Sequence, residues 1–347
     1  MRILAHTICT TILALGSASA SSQESGLPDP LFQSDETLQV TIEAPFTTLV
    51  RERPRDDYLP GLIKYLQADG TAVELDLEIR TRGHFRHKTC DYPPVLLNLK
   101  RKQTRGTLFE GQNKLKLVIP CKYADRYEQS VLREYLAYRI LNAVSDRSFR
   151  ARLLRVSFAN TEKTKEPEIR YAFLIEHKSR LGERYELEDL QLERTTVASI
   201  DPERLNLTSV FAFLIGNTDF SPIAGPPGDE CCHNYVLFGN NIDSIIAIPY
   251  DFDQSGFVNA PYAVVNENFR IRNVRQRLYR GRCVNNEHVV TSLQKFGDSR
   301  DAIYALIDEQ EGLKPYVRED LVRYVDNFYK LIDIPKDVKR RMIDKCV

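Results

Sequence analysis

Four stretches in the first third of the chain alternate apolar and polar residues: Leu38-Val40-Ile42, Val73-Leu75-Leu77-Ile79, Val95-Leu97-Leu99 and Leu115-Leu117-Ile119. A period of two puts every second side chain on one face, which is the pattern of β-strands with one face on a core. Gly70, Gly83, Pro93-Pro94 and Gly106 with Gly111 punctuate these runs, so an antiparallel meander is expected. The period then changes. Leu132, Tyr135, Leu136, Ile140 and Ala143 recur at three- and four-residue steps, giving a helix over 130–144 with Ser130 as its cap. Leu154-Val156-Phe158 and Ile169-Tyr171-Phe173-Ile175 alternate again and should pair across the polar turn 160–167. Residues 177–203 are charged and irregular and read as a connection. A helix over 205–215 with Gly216 as its stop follows, then short strands over 235–238 and 244–249. A helix over 315–332 comes last but one, and Pro335 begins another. The order of elements is that of an α+β protein.

With 347 residues, 42% of them hydrophobic, the chain can bury one large core or two smaller ones. Lys+Arg and Asp+Glu both number 48, so nothing in the net charge advertises nucleic acid or an anionic membrane as partner. Met1-Arg2, an apolar run from Ile3 to Leu15 and then Ala18-Ser19-Ala20 have the make-up of a secretory signal cleaved after Ala20. No other stretch approaches the roughly 20 apolar residues of a membrane span. An exported protein, periplasmic or extracellular, is therefore expected. Six cysteines follow that segment, Cys90, Cys121, Cys231, Cys232, Cys283 and Cys346, and an even number in an oxidising compartment favours three disulfides. Adjacent Cys231 and Cys232 are expected to take different partners, since a bridge between neighbours is geometrically demanding. Residues 21–35, polar with Pro28 and Pro30, read as a loose arm.

Chemistry is suggested at the edges of the apolar segments. Asp219 follows the apolar helix, Asn234 precedes a strand, and Asp251 and Asp253 follow one. Aspartate and asparagine at such positions commonly only cap helices and make turns. Together, however, they form an oxygen donor set for Mg²⁺ or Mn²⁺ carrying a phosphorylated substrate. Lys114 and Lys116 share one face of a strand, opposite Leu115 and Leu117, and Glu134 lies on the helix after it. A strand lysine held by a helix glutamate is how kinases place a cation on nucleotide phosphates.

The stretches Arg80-Thr81-Arg82-Gly83, Lys114-Leu115-Lys116-Leu117, Leu132-Arg133-Glu134-Tyr135-Leu136-Ala137, Gly216-Asn217-Thr218-Asp219 and Pro249-Tyr250-Asp251-Phe252-Asp253 together resemble the spore-coat CotH kinase family of exported atypical protein kinases. The chain is also similar to a group of exported bacterial proteins with a GNTD stretch, a Tyr-Asp-Phe-Asp stretch and an Arg-Leu-Tyr-Arg-Gly-x-Cys stretch, here Arg277 to Cys283. The resemblance implies a two-lobed, protein-kinase-like fold: an antiparallel-sheet N-lobe with one helix over 36–180 and a mainly helical C-lobe over 181–347. It implies that ATP binds with Mg or Mn and that its phosphate passes to a protein hydroxyl. Lys116, or else Lys114, would meet the phosphates with Arg82 near the turn, and Glu134 would hold that lysine. The backbone at Glu176 and His177 would face the base. Asp219 would be the catalytic aspartate, and Asn234, Asp251 and Asp253 the metal ligands. The alternative is a catalytically inactive kinase-like or calcium-binding secreted scaffold.

Overall fold

A computed structural model of the protein describes residues 26–226 and 231–347. The expected signal segment lies outside the described residues. Seven strands, β1 (Leu38–Ala44), β2 (Leu59–Leu66), β3 (Ala72–Thr81), β4 (Val95–Leu99), β5 (Lys114–Val118), β6 (Ala151–Asn160) and β7 (Glu168–Ile175), close into a barrel in the order β1-β2-β3-β4-β5-β7-β6. Neighbours run antiparallel except at the closing seam, where β1 lies parallel to β6 from Leu38 against Leu154 to Ala44 against Asn160. The period-two residues converge inside: Ile42, Ile63, Ile79, Leu97, Leu115 and Leu154 are fully buried in one cluster.

This closure overturns the two-lobed kinase-like expectation, although the α+β class holds. An N-lobe sheet needs two free edges, and here the outer edge of β1 is taken up by β6, so the first strands form a closed wall. The sequence hid this because β2 begins Leu59-Pro60-Gly61, which reads as a turn. Pro60 is tolerated because β2 pairs with β1 only from Leu62 to Tyr65, so its missing N–H removes no bond to β1. Gly61 is needed because a Cβ there would lie 2.7 Å from the Glu43 carbonyl oxygen.

Two short helices, α1 (Phe46–Glu52) and α2 (Phe85–Thr89), sit in connections between barrel strands. The long helix α3 (Asp125–Val144) starts earlier than Ser130, whose hydroxyl donates to the Arg126 carbonyl at 3.0 Å inside the helix instead of capping it. The segment expected to be irregular holds α4 (Lys178–Arg184) and β8 (Glu188–Asp189), after which come α5 (Pro202–Ile215), β9 (Tyr235–Gly239) and β10 (Ile246–Pro249). The last three strands form a small sheet, β10-β9-β8. Four helices end the chain: α6 (Val289–Asp298), α7 (Arg300–Glu309), α8 (Pro315–Ile332) and α9 (Pro335–Arg341).

The outer face of the barrel at Val118, Leu153, Phe173 and Ile175 shares one hydrophobic cluster with α3 and α5 to α9. A boundary at residue 180 therefore does not separate two cores, because α3 packs with the C-terminal half. Residues 26–35 are not loose either. Leu31 and Phe32 are buried in the barrel cluster, and Asp29 pairs with Arg180 at 2.5 Å.

Cys90 bridges Cys121 and Cys283 bridges Cys346, with Cα atoms 4.7 and 5.0 Å apart, within the ordinary range. Against expectation, Cys231 and Cys232 pair with each other across a cis peptide bond, their Cα atoms 3.0 Å apart. The bridges fit an oxidising, extracellular or periplasmic setting. Among the described residues no helix is long and apolar enough to cross a membrane.

Candidate functional site

The site lies where β5, the middle of α3 and the turns after α5 and β10 meet. Strand alternation sends Leu115 and Leu117 into the barrel and Lys116 outward, beside the ring of Tyr250, whose centroid is 4.5 Å from Nζ. Burial, reinforced by the nearby Arg82 guanidinium, pulls the Lys116 amine down to about 8, and Asp251 opposes this. Lys114, two positions earlier, is exposed at the start of β5.

The expected ion pair between Lys116 and Glu134 is not formed: no carboxylate lies within 4 Å of Nζ among the described residues. Glu134, 3% exposed on α3, titrates well above the usual carboxylate range. Burial is the main cause, followed by the charges of Asp253 and Asp251, while Arg86 and Arg82 oppose it. Asp253, 6% exposed, is pushed up to about 7 by burial and by Asp251, with Arg86 opposing and a hydrogen bond from Tyr262. Asp251, Asp253 and Glu134 thus act on one another as like charges, with Arg86 and Arg82 opposing.

Asp251 is held by its backbone. Its N–H donates to the Tyr138 hydroxyl at 3.0 Å, and Tyr138 is itself wedged against Phe252 and Phe173, with centroids 4.6 and 5.7 Å away. The φ angles of Asp251 and Asn234, +62° and +56°, fall in the left-handed region, where asparagine and aspartate are found most readily among non-glycine residues. Such conformations persist only where the surroundings enforce them, and they cluster at functional sites.

Gly216 ends α5 at φ +64°, and a Cβ there would collide with the Tyr324 hydroxyl. The chain then turns so that the Asp219 N–H donates to Asn217 Oδ1 at 2.9 Å. His233 Nε2 lies 2.7 Å from Asp219 Oδ1, and this hydrogen bond raises the His233 pKa against the effect of burial. Asn234 Nδ2 donates to the Asp219 carbonyl at 2.7 Å and to Oδ2 at 3.1 Å. The Arg-Leu-Tyr-Arg stretch braces this turn from behind. Arg280 donates to the Thr218 and Phe220 carbonyls, both at 2.8 Å, and Arg277 to the Leu214 carbonyl at 3.0 Å.

Beside Lys116 and Tyr250 is a cavity of about 260 Å³, also bounded by His177, Leu237 and the Cys231–Cys232 pair. Glu176 lines it, but its carboxylate is committed to Arg184, at 2.8 and 3.1 Å, and accepts from the Arg150 N–H at 3.0 Å. The Glu176 backbone N–H is engaged as well, donating to the Arg150 carbonyl at 2.9 Å.

Asp219 with Asn234, and Asp251 with Asp253 and Glu134, are thus brought together as two small clusters, and Lys116 and Arg82 border the second. Sequence reasoning missed Tyr262 and His233. Tyr262 lies in a long stretch without period, so no signal was available for it. His233 adjoins Asn234 and was legible only once its distance from Asp219 was known. No family model matches the chain, and no curated protein matches it significantly. Among the described residues, no group of three or more His, Cys, Asp or Glu side chains is arranged to hold a metal ion unaided.

Proposed function

We propose that this cleft binds a nucleoside triphosphate with one divalent cation and transfers the terminal phosphate to a protein hydroxyl. The observation that carries the reading is that half-buried Asp251 and buried Asp253 and Glu134 act on one another as like charges beside the cations Lys116, Arg82 and Arg86. Such a site gains by taking up a cation and phosphates together. Mg²⁺ is usually bound by one or two carboxylates plus substrate phosphates, not by an all-protein cage, so two aspartates and an asparagine amide suffice. Asp251, Asp253 and Asn234 Oδ1 would hold the ion. When bound, it would offset the negative charge gathering between the phosphates.

The chain's own residues supply the rest. The planar guanidinium of Arg82 suits two phosphate oxygens at once, and Lys116 supplies a point charge. Asp219, kept in place by His233 and Asn234, accepts the proton of the attacking hydroxyl as its oxygen bonds to the terminal phosphorus, while the bond from that phosphorus to the bridging oxygen breaks and the nucleoside diphosphate leaves with those electrons. The small cavity beside Tyr250 would take the base. A structural calcium is less well supported, since Ca²⁺ takes six to eight oxygens and no such acidic group is present among the described residues.

Calorimetry with a non-hydrolysable ATP analogue and Mg²⁺ or Mn²⁺ tests the reading. Wild type is expected to bind only with the metal. Asp251→Ala should lose binding, whereas Asp219→Ala should keep it and lose at least a hundredfold in transfer rate, the lower scale for removing a general base. Absence of binding by the wild type would overturn the proposal.

A further inference from the structure

The barrel has a second concavity, at the end covered by α1, and none of the side chains assigned to the cleft lines it. Its volume is about 510 Å³, within the roughly 300–1,000 Å³ usual for small-molecule sites, which often occupy the mouths of barrels. The floor is apolar and buried: Leu49 and Val95 are 2% exposed and Ile119 8%. Phe46 and Phe158 meet edge to face, 5.5 Å between centroids, and form one wall, and half-buried Tyr92 also lines the mouth.

The rim is charged, and unevenly. Cations outnumber carboxylates, and three of them are already engaged: Arg170 by Glu168 at 2.6 Å, Lys122 by Asp91 at 3.3 Å and Arg51 by Glu52 at 2.8 Å. Lys163 and Lys165 have no carboxylate within ion-pair distance among the described residues. Their turn does not swing free. Glu162 accepts from the Thr48 N–H at 2.9 Å and hydroxyl at 2.6 Å, and Asn160 Nδ2 donates to Thr47 Oγ1 at 2.8 Å. The turn that carries these two exposed lysines is thereby held beside an apolar hole.

We propose that this mouth is a binding site for a single-chain fatty carboxylate. The tail lies among Phe46, Phe158, Tyr92 and Val95, and the carboxylate meets Lys163 and Lys165. An apolar concavity removes a tail from water, and a cationic rim selects an anionic head over a neutral one. A hole of this size takes one chain, whereas a bilayer surface would need a flat apolar patch.

The test is calorimetric titration of the full mature chain with saturated fatty carboxylates of increasing length, below their critical micelle concentrations, alongside dodecanol and zwitterionic and anionic vesicles. Saturable one-to-one binding is expected, tightening up to about fourfold per added methylene until the cavity fills, with dodecanol at least tenfold weaker than laurate. The exposed double change Lys163→Glu/Lys165→Glu should weaken laurate at least tenfold. Val50→Trp, which places bulk in the cavity, should shorten the longest chain accepted, with circular dichroism checking that both variants fold. Absence of saturable binding to wild type, affinity unchanged in both folded variants, or binding to vesicles alone would each overturn the proposal.

Discussion

The barrel interior and the charged cleft are both shielded from water, and they are built on opposite principles. Inside the barrel, Ile42, Leu97, Leu115 and Leu154 are fully buried and apolar, and each gains from the others' presence. In the cleft, Glu134 and Asp253 are nearly as buried, but burial and the like charge of neighbouring carboxylates raise the cost of ionising each of them. The first region stabilises the fold, and the second draws on that stability. A region that opposes its own burial and still persists is a candidate for work on a ligand, which is the physical basis for reading function there.

The comparison can be broken most forcefully where a buried charge is fully partnered. Glu176 and Arg184 have side chains 1% and 3% exposed, and Glu176→Ala strands the guanidinium, so a loss of about 3–5 kcal/mol is expected. Leu97→Ala in the barrel should lose about 2–5 kcal/mol through lost transfer and a cavity. Urea denaturation of both variants checks this. A loss under 1 kcal/mol at Glu176 would place that pair with the cleft charges and not with the core.

The pH dependence sharpens the contrast. Asp253 titrates near 7 in the fold, against an ordinary value of 3.8. Between those values the folded chain holds a proton that the unfolded chain has released, so stability falls as pH rises from about 4 to about 7 and levels off above. Asp253 by itself lowers stability by at most about 1.4 kcal/mol per pH unit in that window, and Glu134, also raised, adds to the same fall. Asp253→Asn should flatten the slope, as should added Mg²⁺ if it binds there. Denaturation midpoints from pH 4 to 8 give the answer, and a wild-type profile that rises through this window would contradict the assignment.

The smallest effect is expected at Glu134. Because it is held toward its neutral form, Glu134→Gln resembles the state already present and should change stability by less than about 0.5 kcal/mol near pH 6. Thermal denaturation measures it, and a loss of several kcal/mol would mean that Glu134 is ionised and paired.

Most strands were legible because period-two alternation survives wherever one face is buried, as in β3, β4 and β7. The helix stop at Gly216 and the Pro315 start of α8 were equally plain, since both are local backbone chemistry. Barrel closure was not, because a parallel seam between β1 and β6 leaves no mark in either strand. Within the site, Asp219, Asn234, Asp251 and Asp253 stood out as polar residues at apolar edges. Their actual partners did not: His233, Tyr262 and Arg86 owe their places to long-range packing. The Cys231–Cys232 bridge was rejected because a bridge between sequence neighbours is geometrically demanding, yet the two cysteines pair with each other.

The seam also orders events in time. Leu38 lies opposite Leu154, 116 positions further along the chain, whereas β2, β3, β4 and β5 each meet their neighbour in sequence. Contacts between distant segments carry the larger entropy of loop closure and form slowly. The meander from β2 to β5 can therefore assemble as soon as it is released, while the earliest-made strand waits for one of the last to seal the wall.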